Sequence, residues 1–191
     1  MMTRAIIFDC FGVLASDGWL PFKKKYFGHD KALFAEVTDL SKQTDAGLKS
    51  YEDFTNEVAQ LAKIPGSAVR DAIEGNPPND ELFRYITDEL KPRYKIGMLS
   101  NAGDNWLPVL FTPAQIAVFD AVALSYETGV IKPDERAYRA IAERLGVTPQ
   151  ECVFVDDQER FCSAAREAGM QAIFYHDFEQ TKRDLEEILG G

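Results

Sequence analysis

Residues Ala5-Ile6-Ile7-Phe8 form an unbroken apolar run that ends on Asp9, with Gly12 three positions further on. An apolar run of that length, without polar alternation, reads as a strand buried on both faces, as in a parallel sheet. The chain is thereby restricted to folds in which helices cover both faces of the sheet. A carboxylate at the carboxyl end of such a strand lies where open α/β sheets bind ligands. The same residue also suits turn capping, and this stretch alone does not decide between the two.

After this strand the pattern changes. Between residues 15 and 91 apolar residues recur at helical spacing. Leu33, Phe34, Val37 and Leu40 make one stripe, and Tyr51, Phe54, Val58 and Leu61 another, with Ser50 as its N-cap. A short helix follows over 67–74. Gly75-Asn76-Pro77-Pro78 is a stop, and Asn79 caps a further helix that reaches residue 90. Alternation of strand and helix then resumes. Strands are expected at 96–100, 121–125, 152–157 and 172–175. Helical pieces are expected at 104–110 and 113–118, a loop over 126–132, and helices over 133–145, 160–168 and 178–189, with Pro133 in a first helical turn. The predicted fold class is α/β: a Rossmann-like, doubly wound parallel sheet formed by residues 1–14 and 92–191. The inserted segment 15–91, far longer than a βα loop, is expected to be a helical cap over the carboxyl edge of the sheet.

The balance of 21 Lys and Arg against 31 Asp and Glu leaves a formal net charge of −10. That argues against nucleic acid or an anionic membrane as partner. Lys23-Lys24-Lys25 is the one basic run and reads as a solvated helix face. No apolar stretch approaches a membrane span and no signal peptide is evident. The odd, dispersed cysteines Cys10, Cys152 and Cys162 read as reduced, buried thiols, so a cytoplasmic location is expected. None begins a Cys-x5-Arg thiol-phosphatase motif: six residues on stand Ser16, Gln158 and Ala168.

Four polar clusters fall just past predicted strand ends: Asp9, Ser100-Asn101, Lys132 and Asp156-Asp157. Carboxylates gathered in one crevice repel one another, and a divalent cation resolves this; an all-oxygen donor set suits Mg²⁺. A lysine among them supplies positive charge for an anionic substrate or transition state. His29 and His176 are isolated, which disfavours zinc.

These clusters, in this order, resemble the motifs of the haloacid dehalogenase (HAD) superfamily of hydrolases over essentially the whole chain. Asp9 to Leu14 is similar to the first motif, Leu99-Ser100-Asn101 to the second, Lys132-Pro133-Asp134 to the third, and Val155-Asp156-Asp157 to the fourth. The helical insertion matches the position of the family's C1 cap. The resemblance implies a phosphatase in which Asp9 is the nucleophile, forming an aspartyl-phosphate on a small phosphorylated metabolite, with sugar phosphates among the candidates. It implies catalytic and substrate-binding roles for Ser100 and Lys132, substrate binding by Asn101, and Mg²⁺ held by Asp9, the Phe11 backbone carbonyl, Asp157 and Asp156. A monomer or homodimer is expected. Two positions depart from the pattern. Phe11 stands where the family's phosphatases usually carry a second Asp, the general acid, so slow turnover or a substitute acid such as Asp17 or a cap residue is expected. Phe161 stands where relatives often have Asn or Asp. An aromatic at position 11 also occurs among metal-independent 2-haloacid dehalogenases, which supply the first alternative. The acidic fourth motif, and Arg70 as the only arginine between Ala15 and Glu81, argue against it. A catalytically weak binding protein of the same fold is the second alternative. A response-regulator receiver also gathers aspartates and a lysine, but its paired acids follow the first strand, not the fourth.

Overall fold

The computed structural model describes residues 2–190. Its strands β1 (Ala5–Phe8), β2 (Lys95–Ser100), β3 (Ala121–Leu124), β4 (Cys152–Asp156) and β5 (Gln171–Phe174) form one sheet in the order β3-β2-β1-β4-β5, with every pair parallel. The apolar run at 5–8 is therefore the central strand, hydrogen-bonded on both sides. Its side chains alternate between two layers: Ile6 and Phe8 pack into one cluster, Ala5 and Ile7 into the other. Helices α9 (Glu135–Arg144) and α10 (Glu159–Glu167) cover the second layer, and α11 (Phe178–Leu189) lies with the first. The chain winds outward from β1 to β3, then crosses back to β4 and β5. The β1–β4 boundary is thus a switch point, where a crevice opens beyond the carboxyl ends of the strands.

Between β1 and β2 come α1 (Trp19–Phe27), α2 (Lys31–Asp45), α3 (Tyr51–Ala62), α4 (Gly66–Glu74) and α5 (Asp80–Tyr85), the last continuing as a π-helical turn, Ile86–Leu90. Helices α1 to α4 pack on one another. The stretch from α5 to residue 90 lies against the sheet layer instead: Phe83 meets Phe111 and Phe119 edge-on, and Tyr85 meets Phe178. The two connections to the α1–α4 unit run side by side. Ala15 bridges Pro78 in antiparallel fashion, Ser16 N–H donates to the Pro77 carbonyl, and Asn79 Nδ2 donates to the Val13 carbonyl and the Tyr175 hydroxyl.

Short elements differ most from the sequence reading. The piece expected at 104–110 is helical only over α6 (Leu107–Leu110), because the side chains of Asp104 and Asn105 take backbone N–H groups into local turns. Helix α7 (Pro113–Ile116) is closed by a Thr112/Gln115 capping box. The expected loop at 126–132 opens inside a helical turn, α8 (Ser125–Thr128). Pro133 lies ahead of the N-cap Asp134 rather than in the first turn of α9, because the Asp134 carboxylate accepts the Arg136 N–H. No helix among the described residues is long and apolar enough to cross a membrane.

Candidate active site

Asp9 is the first residue past β1, and its N–H donates to the Val155 carbonyl of β4 (2.9 Å), which carries the ladder one step beyond the strand. One carboxylate oxygen, Oδ1, accepts from the Cys10 N–H at 2.7 Å and from Lys132 Nζ at 2.8 Å. Lys132 also reaches Asp156 Oδ2 at 2.7 Å, so a single ammonium bridges the carboxylates that follow β1 and β4. Asp156 is fully buried, and its second oxygen accepts the Gln158 N–H. Asn101 holds the lysine in place: its Oδ1 accepts the Lys132 N–H (2.7 Å) and its Nδ2 donates to the Lys132 carbonyl (3.0 Å). Both polar ends of that amide are thus engaged with backbone. Beneath the ammonium lie the rings of Phe161 (4.9 Å) and Phe154 (5.3 Å), and Arg160 stacks on Phe161. Phe161, a departure at sequence level, is here an aromatic wall against the buried cation.

Asp157 completes the group. Asp9, Asp156 and Asp157 each present an oxygen within 4.8 Å of the others, yet the one ammonium is already shared by the first two. Asp157 Oδ1 is buried without a hydrogen-bond partner among the described residues. A buried, unpartnered carboxylate oxygen is costly unless something outside the chain satisfies it. Gly12 makes room for it. Its φ is +88°, and a Cβ there would come within 2.4 Å of Asp157 Oδ2, so a side chain at position 12 is excluded by both backbone and space.

The electrostatics follow from this crowding. Burial holds the Asp9 carboxyl well above the usual range, with Lys132 opposing the shift and Asp156 and Asp157 adding to it. Burial, then the charges of Asp156 and Asp17, push Asp157 up to about 6. For Lys132 burial acts to lower the pKa, but the charges of Asp156 and Asp9 outweigh it and hold the ammonium protonated. Three carboxylates and one ammonium leave a formal surplus of two negative charges, and every free donor is an oxygen. That set fits a hard divalent cation.

Above these groups a cavity of about 570 Å³ opens between the sheet edge and α1–α4. Asp9, Phe11, Ser100, Asn101, Lys132 and Asp157 form its floor. Trp19 and Trp106 line it, whereas Phe22 and Tyr26 do not. Two residues on its upper wall were not among the site residues expected from the sequence. Lys23, expected on a solvated face, is buried; it donates to Thr38 Oγ1 (3.1 Å) and lies over the Phe34 and Trp19 rings, while Lys24 and Lys25 are exposed as expected. Its signal was present, since Lys23 stands four residues after Trp19, on the buried stripe of the helix. The other is Asp45, the last residue of α2, eight positions after the buried Val37 and so on the same face. Burial pushes its carboxyl up to about 7, against the opposing charges of Lys23 and Lys132.

Comparisons with known proteins agree with this architecture. A family model described as haloacid dehalogenase-like hydrolase matches residues 3–169. Phosphatase MT3486 of Mycobacterium tuberculosis is 29% identical over 214 residues, covering 98% of this chain and 96% of that protein. A HAD family enzyme from Bacteroides thetaiotaomicron, in complex with magnesium and inorganic phosphate, superposes with a TM-score of 0.73 at 22% identity, covering 94% and 98% of the two chains. The L-2-haloacid dehalogenase of Xanthobacter autotrophicus with chloropropionic acid covalently bound superposes with a TM-score of 0.68 at 20% identity, covering 97% of this chain and 83% of that one. At these identities the two structures speak to fold.

Proposed function

The chain belongs to the haloacid dehalogenase-like hydrolases, and we propose that within this family it is a Mg²⁺-dependent phosphatase acting on a small phosphate monoester through an aspartyl-phosphate on Asp9. The unpartnered Asp157 Oδ1, beside two carboxylates that already share Lys132, carries this reading. A metal-independent dehalogenase has no use for that surplus of negative charge where an acid substrate must enter. The similarity to a phosphatase over nearly the whole chain and the fold shared with a magnesium- and phosphate-bound enzyme support it.

In this mechanism Asp9 Oδ1 is fixed by Lys132 and the Cys10 N–H, which aims Oδ2 at the phosphorus. Attack by Oδ2 forms the acyl-phosphate bond as the ester P–O bond breaks. Lys132 and the Ser100 hydroxyl hold the phosphoryl oxygens, and Asn101 positions Lys132 through its backbone. Asp9, Asp157, the Phe11 carbonyl and Asp156, directly or through water, are the groups we assign to Mg²⁺. Magnesium, when bound, offsets the carboxylate charge and draws electron density from the phosphoryl oxygens. Phe11 donates no proton, so the leaving group must obtain one elsewhere. We take the cap to be α1–α4, standing over the cavity and choosing the substrate.

The test is phosphate release from 4-nitrophenyl phosphate with and without Mg²⁺, in wild type and Asp9→Asn. Release that requires Mg²⁺ and falls at least about 10³-fold in Asp9→Asn is expected. Halide release from 2-chloropropionate without metal would establish the dehalogenase instead, and silence on both substrates the binding protein.

A further inference from the structure

Phe11 leaves the reaction without a proton donor at the position where the family's phosphatases usually carry one, and few groups in the cavity are able to fill the vacancy. Lys132 is committed to its two carboxylates, and Lys23 is bound to Thr38 and faced by aromatic rings. The Tyr51 hydroxyl donates to Glu74. Asp17, the nearest acid in sequence, has its Oδ1 engaged by the N–H groups of Trp19 (2.8 Å) and Leu20 (3.2 Å) at the head of α1.

Asp45 differs from all of these. It lines the same cavity as Asp9 and Lys132, and among the described residues no side chain or backbone group donates a hydrogen bond to its carboxyl. It sits at the carboxyl end of a fifteen-residue helix, where the helix dipole disfavours a negative charge. The chain on either side of it is seated on the sheet edge. Thr44 packs on Gly103 so closely that a Cβ at 103 would come within 2.5 Å of Thr44 Cγ2, and a Cβ at Gly47 would meet the Tyr126 carbonyl at 2.9 Å. These contacts tie the end of α2 to the loop after β2 and to α8, which follows β3. The first of those follows directly on Ser100, the last residue of β2, and begins with Asn101, so the end of α2 that carries Asp45 is fixed against the edge that forms the cavity floor.

We propose that Asp45, delivered from the cap, is the catalytic proton donor and acceptor of this enzyme, in place of an acid at position 11. The inference rests on the phosphatase reading. As Asp9 Oδ2 bonds to phosphorus and the ester P–O bond breaks, the electron pair stays on the leaving oxygen, which takes the proton of the neutral Asp45 carboxyl and departs as an alcohol. Water then attacks the acyl-phosphate. Its proton passes to the Asp45 carboxylate, the bond between phosphorus and Asp9 breaks, and phosphate leaves with both aspartates restored. A carboxyl held near neutrality by its surroundings suits both directions of transfer. Such an acid is available only with the cap seated, which ties proton transfer to closure over a bound substrate.

The experiment compares wild type, Asp45→Asn, Asp45→Glu and Asp17→Asn on two Mg²⁺-supplemented substrates that differ in leaving group, 4-nitrophenyl phosphate and benzyl phosphate. Nitrophenolate leaves without help, whereas benzyl alkoxide needs a proton. In Asp45→Asn, kcat on benzyl phosphate is expected to fall about 10²–10⁴-fold. With 4-nitrophenyl phosphate the first turnover should slow far less, giving a burst of nitrophenolate followed by slow steady-state release, because hydrolysis of the acyl-phosphate has lost its base. The burst amplitude counts folded, competent sites, which separates lost chemistry from lost structure. Asp45→Glu should recover part of the benzyl phosphate rate. Equal slowing of the first turnover on both esters, no slowing on either, or the leaving-group pattern in Asp17→Asn would overturn the assignment. Wild type that releases no phosphate from either ester would overturn the phosphatase reading itself, a result distinct from any of these.

Discussion

A buried ammonium between two carboxylates, with a third carboxylate left over, defines this site at the scale of single residues. Lys132 draws its worth from being shared: removal of either Asp9 or Asp156 would leave the remaining pair intact, while removal of Lys132 would strand both acids. Asp45 illustrates the opposite arrangement, an acid with charges nearby but no partner in contact. Its carboxyl is held near 7 by burial, opposed by Lys23 of α1 and Lys132 beyond β3. In the unfolded chain it titrates near its ordinary value of about 3.9. The native state therefore binds this proton more tightly. The stability so gained is complete below about pH 4 and lost as pH rises through about 7. Asp45→Asn carries no such dependence. The variant should gain stability over wild type between pH 5 and pH 8, by roughly 2 kcal/mol after discounting for a half-buried group that water partly screens. Melting temperatures of the two proteins at both pH values provide the check, and a constant difference would mean that Asp45 titrates like a surface acid. A residue that costs stability at the working pH and improves with removal is the usual mark of function kept at the expense of fold.

At the scale of elements, the junction between the α1–α4 unit and the sheet is where small side-chain changes should tell. The paired connections at Ala15 and Pro78 fix one side of the α1–α4 unit, and the Thr44–Gly103 and Gly47–Tyr126 contacts fix the end of α2. Gly103→Ala inserts a methyl group where Thr44 already stands. Overpacking of this kind typically costs about 1–3 kcal/mol, and here it is relieved by lifting the end of α2 from the sheet edge. The expected outcome is a modest loss in melting temperature and a larger loss in kcat on benzyl phosphate than on 4-nitrophenyl phosphate, since Asp45 moves with its helix. Parallel losses on the two esters would place the damage in the Ser100–Asn101 loop instead.

For the whole molecule, the charge surplus at the floor sets how stability responds to metal. With Mg²⁺ at a hundred times its dissociation constant, linkage gives about 2.7 kcal/mol, or roughly 5–10 °C in melting temperature for a chain of this size. Asp157→Asn should remove most of that shift while raising the metal-free melting temperature, because it deletes an unpartnered buried charge. A Mg²⁺ shift that survives the substitution would place the ion elsewhere. The fold was legible for a local reason: a strand buried on both faces must be apolar throughout, and a helix must repeat every three to four residues. Residues 5–8 and the stripes of α2 and α3 therefore declared themselves, as did the polar residues that close the strands. Short pieces such as α6 and α8 did not, because a single turn has too few residues to establish a period, and side chains such as Asn105 compete for its backbone. By itself the sequence determined the order of strands and helices, the acidic and basic residues at the sheet edge, and the absence of an acid at position 11. Only the tertiary structure decided that Lys132 is divided between Asp9 and Asp156, that Asp157 is left without a partner, and that Asp45 stands in the same cavity. Those outcomes depend on distances between residues far apart in the chain, and such distances are set by how the sheet and helices α1–α4 pack, not by any pattern along the sequence.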